Sequence, residues 1–293
     1  MIQTSFSLRL GLYSLLLVFS FGSIAQGLDE PGLGVPSLTP EERLLIELPA
    51  DSELRILDVS EDRFRVLIQH ANQSTPEGAL MLLADPEAGP SWLEQTHSLR
   101  TYMAEFGWFT LALDLPARQH LIVDTDAESR YVNQITERIR AAKIEIDREN
   151  IETLVVIALG RSAGWATDFL RQQPDMAHLI MIDPQPHHPN QWSALIEGMS
   201  ALTEKAVIDI YPARLQRLPD IRIRANQAKR SDLVRYHSQP MKGEYAGWKL
   251  DMPWLNRQVR GAIKTFITQA DASIEAKRAM QEPPREQLPP GRR

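Results

Sequence analysis

Leu54–Asp58 and Arg63–Gln69 alternate apolar and polar residues, with Ser60, Glu61 and Asp62 between them. That pattern predicts two half-exposed strands joined by a turn, an antiparallel hairpin at a sheet edge. Further on the apolar runs become continuous, at residues 79–83, 108–113, 153–159, 178–182 and 206–211. Short unbroken runs rich in Val, Ile and Leu predict strands buried on both faces, as parallel strands are. Residues 232–238 are expected as the last strand. The stretches between follow a helical period. Leu99, Met103 and Phe106 share a helix face, Val132, Ile135, Ile139, Ala142 and Ile146 recur at steps of three and four, and a helix is expected over about 191–202. Trp254, Leu255, Val259, Ala262, Ile263 and Phe266 form the stripe of a closing helix. A hairpin followed by regular strand–helix alternation predicts an α/β fold: a mainly parallel sheet of seven or eight strands, helices on both faces, and an antiparallel N-terminal edge hairpin.

One junction in this pattern carries candidate chemistry. The run 153–159 ends at Gly160-Arg161-Ser162-Ala163-Gly164, and residues 165–172 suit a helix, with Pro174 beyond its end. A G-x-S-x-G between a buried strand and a helix is the nucleophile-elbow pattern, in which a sharp turn raises the serine over the sheet edge. With the strand order it predicts the α/β-hydrolase arrangement. The chain also resembles a proteobacterial family of signal-bearing α/β-hydrolase-like proteins, domain of unknown function 3530, over roughly residues 40–270. The resemblance rests on residues 82–92 (LLADPEAGPSW), Gly107-Trp108 with the later Asp114-Leu115-Pro116, the elbow, Met181-Ile182-Asp183 and Ile208-Asp209-Ile210-Tyr211. It implies the hydrolase-like fold and names no substrate.

A serine hydrolase also needs a base, an acid to orient it, and two oxyanion donors. After the third strand the chain reads Ala84-Asp85-Pro86-Glu87. The aligned donor falls on Pro86, which has no N–H, and the Asp85 carboxylate would repel an oxyanion; a one-residue shift would restore a donor at Asp85 or Glu87. Ala163 N–H is the expected second donor. The loop 241–248, where the base belongs, has no histidine. His237 has the right chain order but falls inside a strand, where a structural histidine is the competing reading. His187-His188 follow the sixth strand between Pro186 and Pro189. Adjacent histidines do not easily share one metal, and no nearby carboxylate completes a familiar ligand spacing, so no metal is expected. No acid follows residue 211. Asp183, at the end of the sixth strand, is the substitute acid, and with Pro184 it reads equally as a turn former. Asp209 is expected to pack or pair structurally.

The ends of the chain bear on location. Arg9, the apolar run 10–24 and the small-x-small site Ser23-Ile24-Ala25 read as a signal peptide cleaved near Ala25. The remainder is then periplasmic or secreted, with no membrane span in the mature chain. Residues 26–50, with four prolines, are expected as an arm, 51–271 as the domain, and 272–293 as a disordered Pro/Arg-rich tail, of which 272–280 can also be read as continuing a helix. There is no cysteine, which excludes disulfides and thiol chemistry. A net charge of −6 with no basic block argues against a nucleic-acid partner. No cofactor is implied. Three functions compete: a hydrolase-fold protein with a degenerate serine-hydrolase site that binds a small acyl or ester ligand or a periplasmic protein; a serine carboxylic-ester or acyl hydrolase using Ser162, His237 and Asp183; and a structural component of a periplasmic assembly.

Overall fold

The computed structural model describes residues 38–60, 62–116, 125–186, 192–214 and 218–281. The expected signal, the arm before residue 38, His187, His188 and residues 282–293 lie outside these. The described chain runs α1 (Pro40–Ile46), β1 (Ser52–Val59), β2 (Asp62–Gln69), β3 (Gly78–Leu83), α2 (Trp92–Glu105), β4 (Trp108–Leu113), α3 (Thr125–Asp147) and β5 (Leu154–Leu159). It continues with α4 (Ser162–Arg171), β6 (His178–Ile182), α5 (Trp192–Ser200), β7 (Val207–Tyr211), α6 (Leu218–Arg230), β8 (Tyr236–Pro240), α7 (Pro253–Ile263) and α8 (Gln269–Gln281), the last two joined by a π-helical turn at Lys264–Thr268.

The eight strands form one sheet in the order β1-β2-β4-β3-β5-β6-β7-β8. β1 pairs with β2 and β2 with β4 antiparallel, and the other neighbours are parallel. The continuous apolar runs are the parallel strands, because both of their faces are covered. Ala79, Met81 and Leu83 of β3 pack with Ile135 and Ile139 of α3 and with Ala163, Ala166 and Phe169 of α4. Leu80 and Leu82 point the other way, into a second core with Leu93 and Met103 of α2 and Leu255, Val259 and Ile263 of α7. Side chains alternate across a strand, so one apolar run feeds two cores.

The structure departs from the expected pattern in four places. The last strand begins at Tyr236, not residue 232, because Leu233 N–H closes onto Ala228 O and Asp232 takes φ 52° as the chain turns out of α6. α6 itself was not expected; it presents only Ile221, Arg224 and Ala228 as buried residues. Within the expected arm, residues 40–46 form α1, opened by a Thr39–Glu42 capping box and packed through Leu44. α8 runs to Gln281, so the tail boundary expected at residue 272 falls inside a helix. Ala, Glu, Lys, Arg and Met favour helix, and the first proline comes only at residue 283.

Candidate active site

β5 ends at Leu159, and the chain reverses into α4 within two residues. Gly160 takes φ 56°, while its N–H still donates to Ile182 O at 2.9 Å, extending the β5–β6 ladder. Ser162 is not among the residues with positive φ. The left-handed tip of the turn is therefore Gly160, and Ser162 is the first residue of α4.

Ser162 is fully buried. Its Oγ lies 2.8 Å from Leu83 O and 2.9 Å from Leu159 O, so its single proton is shared between the ends of β3 and β5. No hydrogen bond among the described residues joins it to a histidine. Ala163 N–H, the expected oxyanion donor, turns back to Gly160 O at 3.4 Å.

His237 lies on β8, three strands from β5, at the register Ile157–Ile180–Ile208–His237. At ~4.8 Å per strand that is about 14 Å across the sheet. Its ring stacks on Phe266 with centroids 3.9 Å apart, and burial, helped by Arg235, pulls its pKa below the usual histidine value. Asp183 does lie at the elbow's edge of the sheet. It takes φ 47°, donates its N–H to Ile210 O at 2.8 Å and is buried. The structure thus brings Asp183 and Ser162 to one sheet edge and leaves His237 away from both.

The loop after β3 packs directly on the turn. Asp85 is buried, and its Oδ2 accepts from Arg161 N–H at 3.2 Å while its Oδ1 accepts from Glu87 N–H at 3.0 Å. Its own N–H donates to Gln95 Oε1 and its carbonyl accepts from Gln95 Nε2, both at 2.8 Å. Ala88 N–H bonds Asp85 O at 3.2 Å, and the Glu87 carboxylate forms an ion pair with Arg161. The amides of Asp85, Glu87 and Ala88 are thus all engaged, and Pro86 has none. Burial raises the Asp85 pKa, with Arg161 opposing the shift. The sequence flagged the charge of Asp85; its grip on Arg161 and its clamp by Gln95 are non-local and left no periodic signal.

Two small cavities open at this edge. One, about 170 Å³, lies among Asp85, Pro86, Pro90, Trp92 and Asp114. The other, about 370 Å³, lies where the acid and base loops would meet, among Pro212, Arg214, Met241, Glu244 and Tyr245.

No curated protein matches the sequence significantly. Among solved structures, an esterase from Rhizomucor miehei aligns with TM-score 0.57 at 10% identity, over 75% of this chain and 84% of that one. A protein classed as a dienelactone hydrolase from Klebsiella pneumoniae aligns with TM-score 0.54 at 10% identity, over 74% and 98%. A third, classed as an esterase from Staphylococcus aureus, gives TM-score 0.51 at 10% identity, over 76% and 85%. At these identities the likeness is one of fold, and it gives the chain the α/β-hydrolase architecture. The sequence itself matches one family model over residues 35–125 and 122–265, and the chain therefore belongs to the family described as Protein of unknown function (DUF3530).

Proposed function

We propose that this is an exported α/β-hydrolase-fold protein that carries out no ordinary serine hydrolysis and acts by binding a ligand or protein partner at the carboxyl edge of its sheet. One observation carries the proposal: the Ser162 hydroxyl is buried and spends its proton on two main-chain carbonyls. A nucleophilic serine needs a base within about 2.6–3.2 Å to take that proton, and a carbonyl oxygen does not serve. The position of His237 and the engaged amides of Asp85, Glu87 and Ala88 support the same reading. Export rests on the signal-like first 25 residues, and the two edge cavities are the places where a small ligand would lodge.

The test is a fluorophosphonate probe with purified mature protein. Slow or absent labelling is expected, together with ester turnover that Ser162→Ala leaves unchanged. Stoichiometric labelling at Ser162, abolished by that substitution and weakened by His237→Ala, would overturn the proposal in favour of the Ser162–His237–Asp183 hydrolase. The mature N-terminus, expected at Gln26, is checked by sequencing protein recovered from outside the cytoplasm.

A further inference from the structure

We propose that Gly160, not Ser162, holds the nucleophile's place in this elbow, and that the Asp85 carboxylate is a built-in occupant of the space that a nucleophile side chain and its oxyanion would share. In a nucleophile elbow the reactive residue is the strained tip between strand and helix. The N–H of the next residue, with an N–H from the loop after the third strand, forms the oxyanion hole. Here the strained tip is Gly160, the next residue is Arg161, and the loop after the third strand delivers Asp85.

Three observations fix this assignment. Gly160 is the one residue between β5 and α4 with a left-handed backbone, where any side chain is strained. A Cβ built on Gly160 would lie 2.1 Å from Asp85 Oδ2, 2.8 Å from its Cγ and 3.1 Å from its Cβ, so the direction a nucleophile would take is filled by that carboxylate. Arg161 N–H, the donor that would meet an oxyanion, already donates to the same Asp85 oxygen. Asp85 cannot simply swing aside, because Gln95 holds its main chain on both sides and Glu87 N–H holds its other oxygen.

The consequence concerns ligand class. An oxyanion hole offers N–H groups to negative charge; this one presents a carboxylate, each oxygen of which already accepts from a main-chain N–H. A ligand reaching this edge meets a site closed to acyl oxyanions and to anionic groups. The absence of a nucleophile then has a structural cause, since a serine at position 160 would have no room for even its Cβ. This deepens the non-hydrolytic reading and rests on it for its functional meaning, but a different measurement tests it. Probe labelling at Ser162 would sink that reading, whereas the assignment of Gly160 and Asp85 is decided by stability coupling.

The experiment is a double-mutant cycle on the full chain, read by thermal unfolding. Gly160→Ala alone is expected to lower Tm by about 10 °C, from the clash added to the left-handed penalty, at ~2–4 °C per kcal/mol for a domain of this size. In an Asp85→Gly background the same change is expected to cost only about 3–6 °C, the left-handed penalty by itself. Equal costs in the two backgrounds would overturn the proposal. Should Gly160→Ala fail to fold, amide exchange in Asp85→Gly decides. The Arg161 and Glu87 amides are expected to exchange at least about tenfold faster relative to Gly160 N–H, which keeps its Ile182 acceptor. An unchanged ratio would overturn it equally.

Discussion

Ser162 holds two strands together. Its Oγ reaches the last carbonyls of β3 and β5, and those strands are adjacent in the sheet through the pair Leu83–Ala158. Ser162→Ala therefore removes a buried hydrogen bond while the packing around it stays apolar, a loss of about 1–2 kcal/mol. Thermal unfolding should register this as a Tm lower by roughly 3–6 °C with circular dichroism unchanged, and an unaltered Tm would mean that the bond contributes nothing net. The sequence made the serine visible and its surroundings invisible. G-x-S-x-G carries no information about which residue takes the left-handed turn. That residue is Gly160, and the space its missing side chain leaves is filled by Asp85, seventy-five residues earlier in the chain. The missing histidine of the 241–248 loop was legible because it is an absence in the chain itself. The clamp of Gln95 on Asp85 was not, because both partners are polar residues whose spacing follows no helical or strand period.

At the scale of elements, α6 shows what periodicity misses. Its buried positions, Ile221, Arg224 and Ala228, step by three and four as an amphipathic stripe should, but the middle one is an arginine. That arginine belongs to the core because Asp209 on β7, itself fully buried, accepts from its Nε at 2.6 Å and its Nη2 at 3.1 Å. Tyr236 of β8 donates its hydroxyl to Asp209 Oδ2 at 2.8 Å, and burial, with Asp209 beside it, pushes that phenol well above its ordinary range. The Trp192 ring of α5 lies 5.2 Å from the guanidinium carbon. One carboxylate thus ties α6, β7 and β8, and its place inside a strand was read from sequence as structural rather than catalytic. Asp209→Ala would leave the arginine charge buried without its partner, a loss of about 3–5 kcal/mol. Denaturant unfolding is expected to show that loss. Asp209→Leu combined with Arg224→Met should recover part of it, because the packed volume returns without an unpaired ion and only the Tyr236 hydroxyl loses its acceptor. A double variant no more stable than Asp209→Ala would count against the ion pair as the cause.

For the whole molecule, the sheet's two edges do different work. The carboxyl edge holds the plugged turn and both cavities, and strand order together with buried runs made its position readable in advance. The amino edge holds a titratable brace that no motif announced. His178 opens β6 and is buried; its Nδ1 accepts from Ala206 N–H at 3.0 Å, and its Nε2 lies 3.1 Å from Asp271 of α8. Asp271 also pairs with Arg235 at 2.6 Å, so this cluster fastens the C-terminal helix to the sheet. The acceptor role of Nδ1 requires a neutral imidazole. Burial pulls the His178 pKa down to about 4, with Lys205 and Arg235 acting in the same direction and Asp271 opposing them. A histidine with a depressed folded pKa gives its full stability above the unfolded value near 6.5, where both states are neutral. As pH falls from about 6.5 towards 4 the unfolded chain binds a proton that the folded one refuses, and stability drops by up to about 3 kcal/mol. Asp85, Asp114 and Asp168, all raised by burial, act in the opposite sense, so the histidine must be isolated by comparison. His178→Asn does not titrate in this range. Urea unfolding of both proteins at pH 7, 6, 5 and 4.5 should show the wild type losing stability more steeply, with the gap closing as pH falls. Parallel pH profiles would show that His178 is protonated in the folded protein as readily as in the unfolded chain, and that the brace at the amino edge is indifferent to acid.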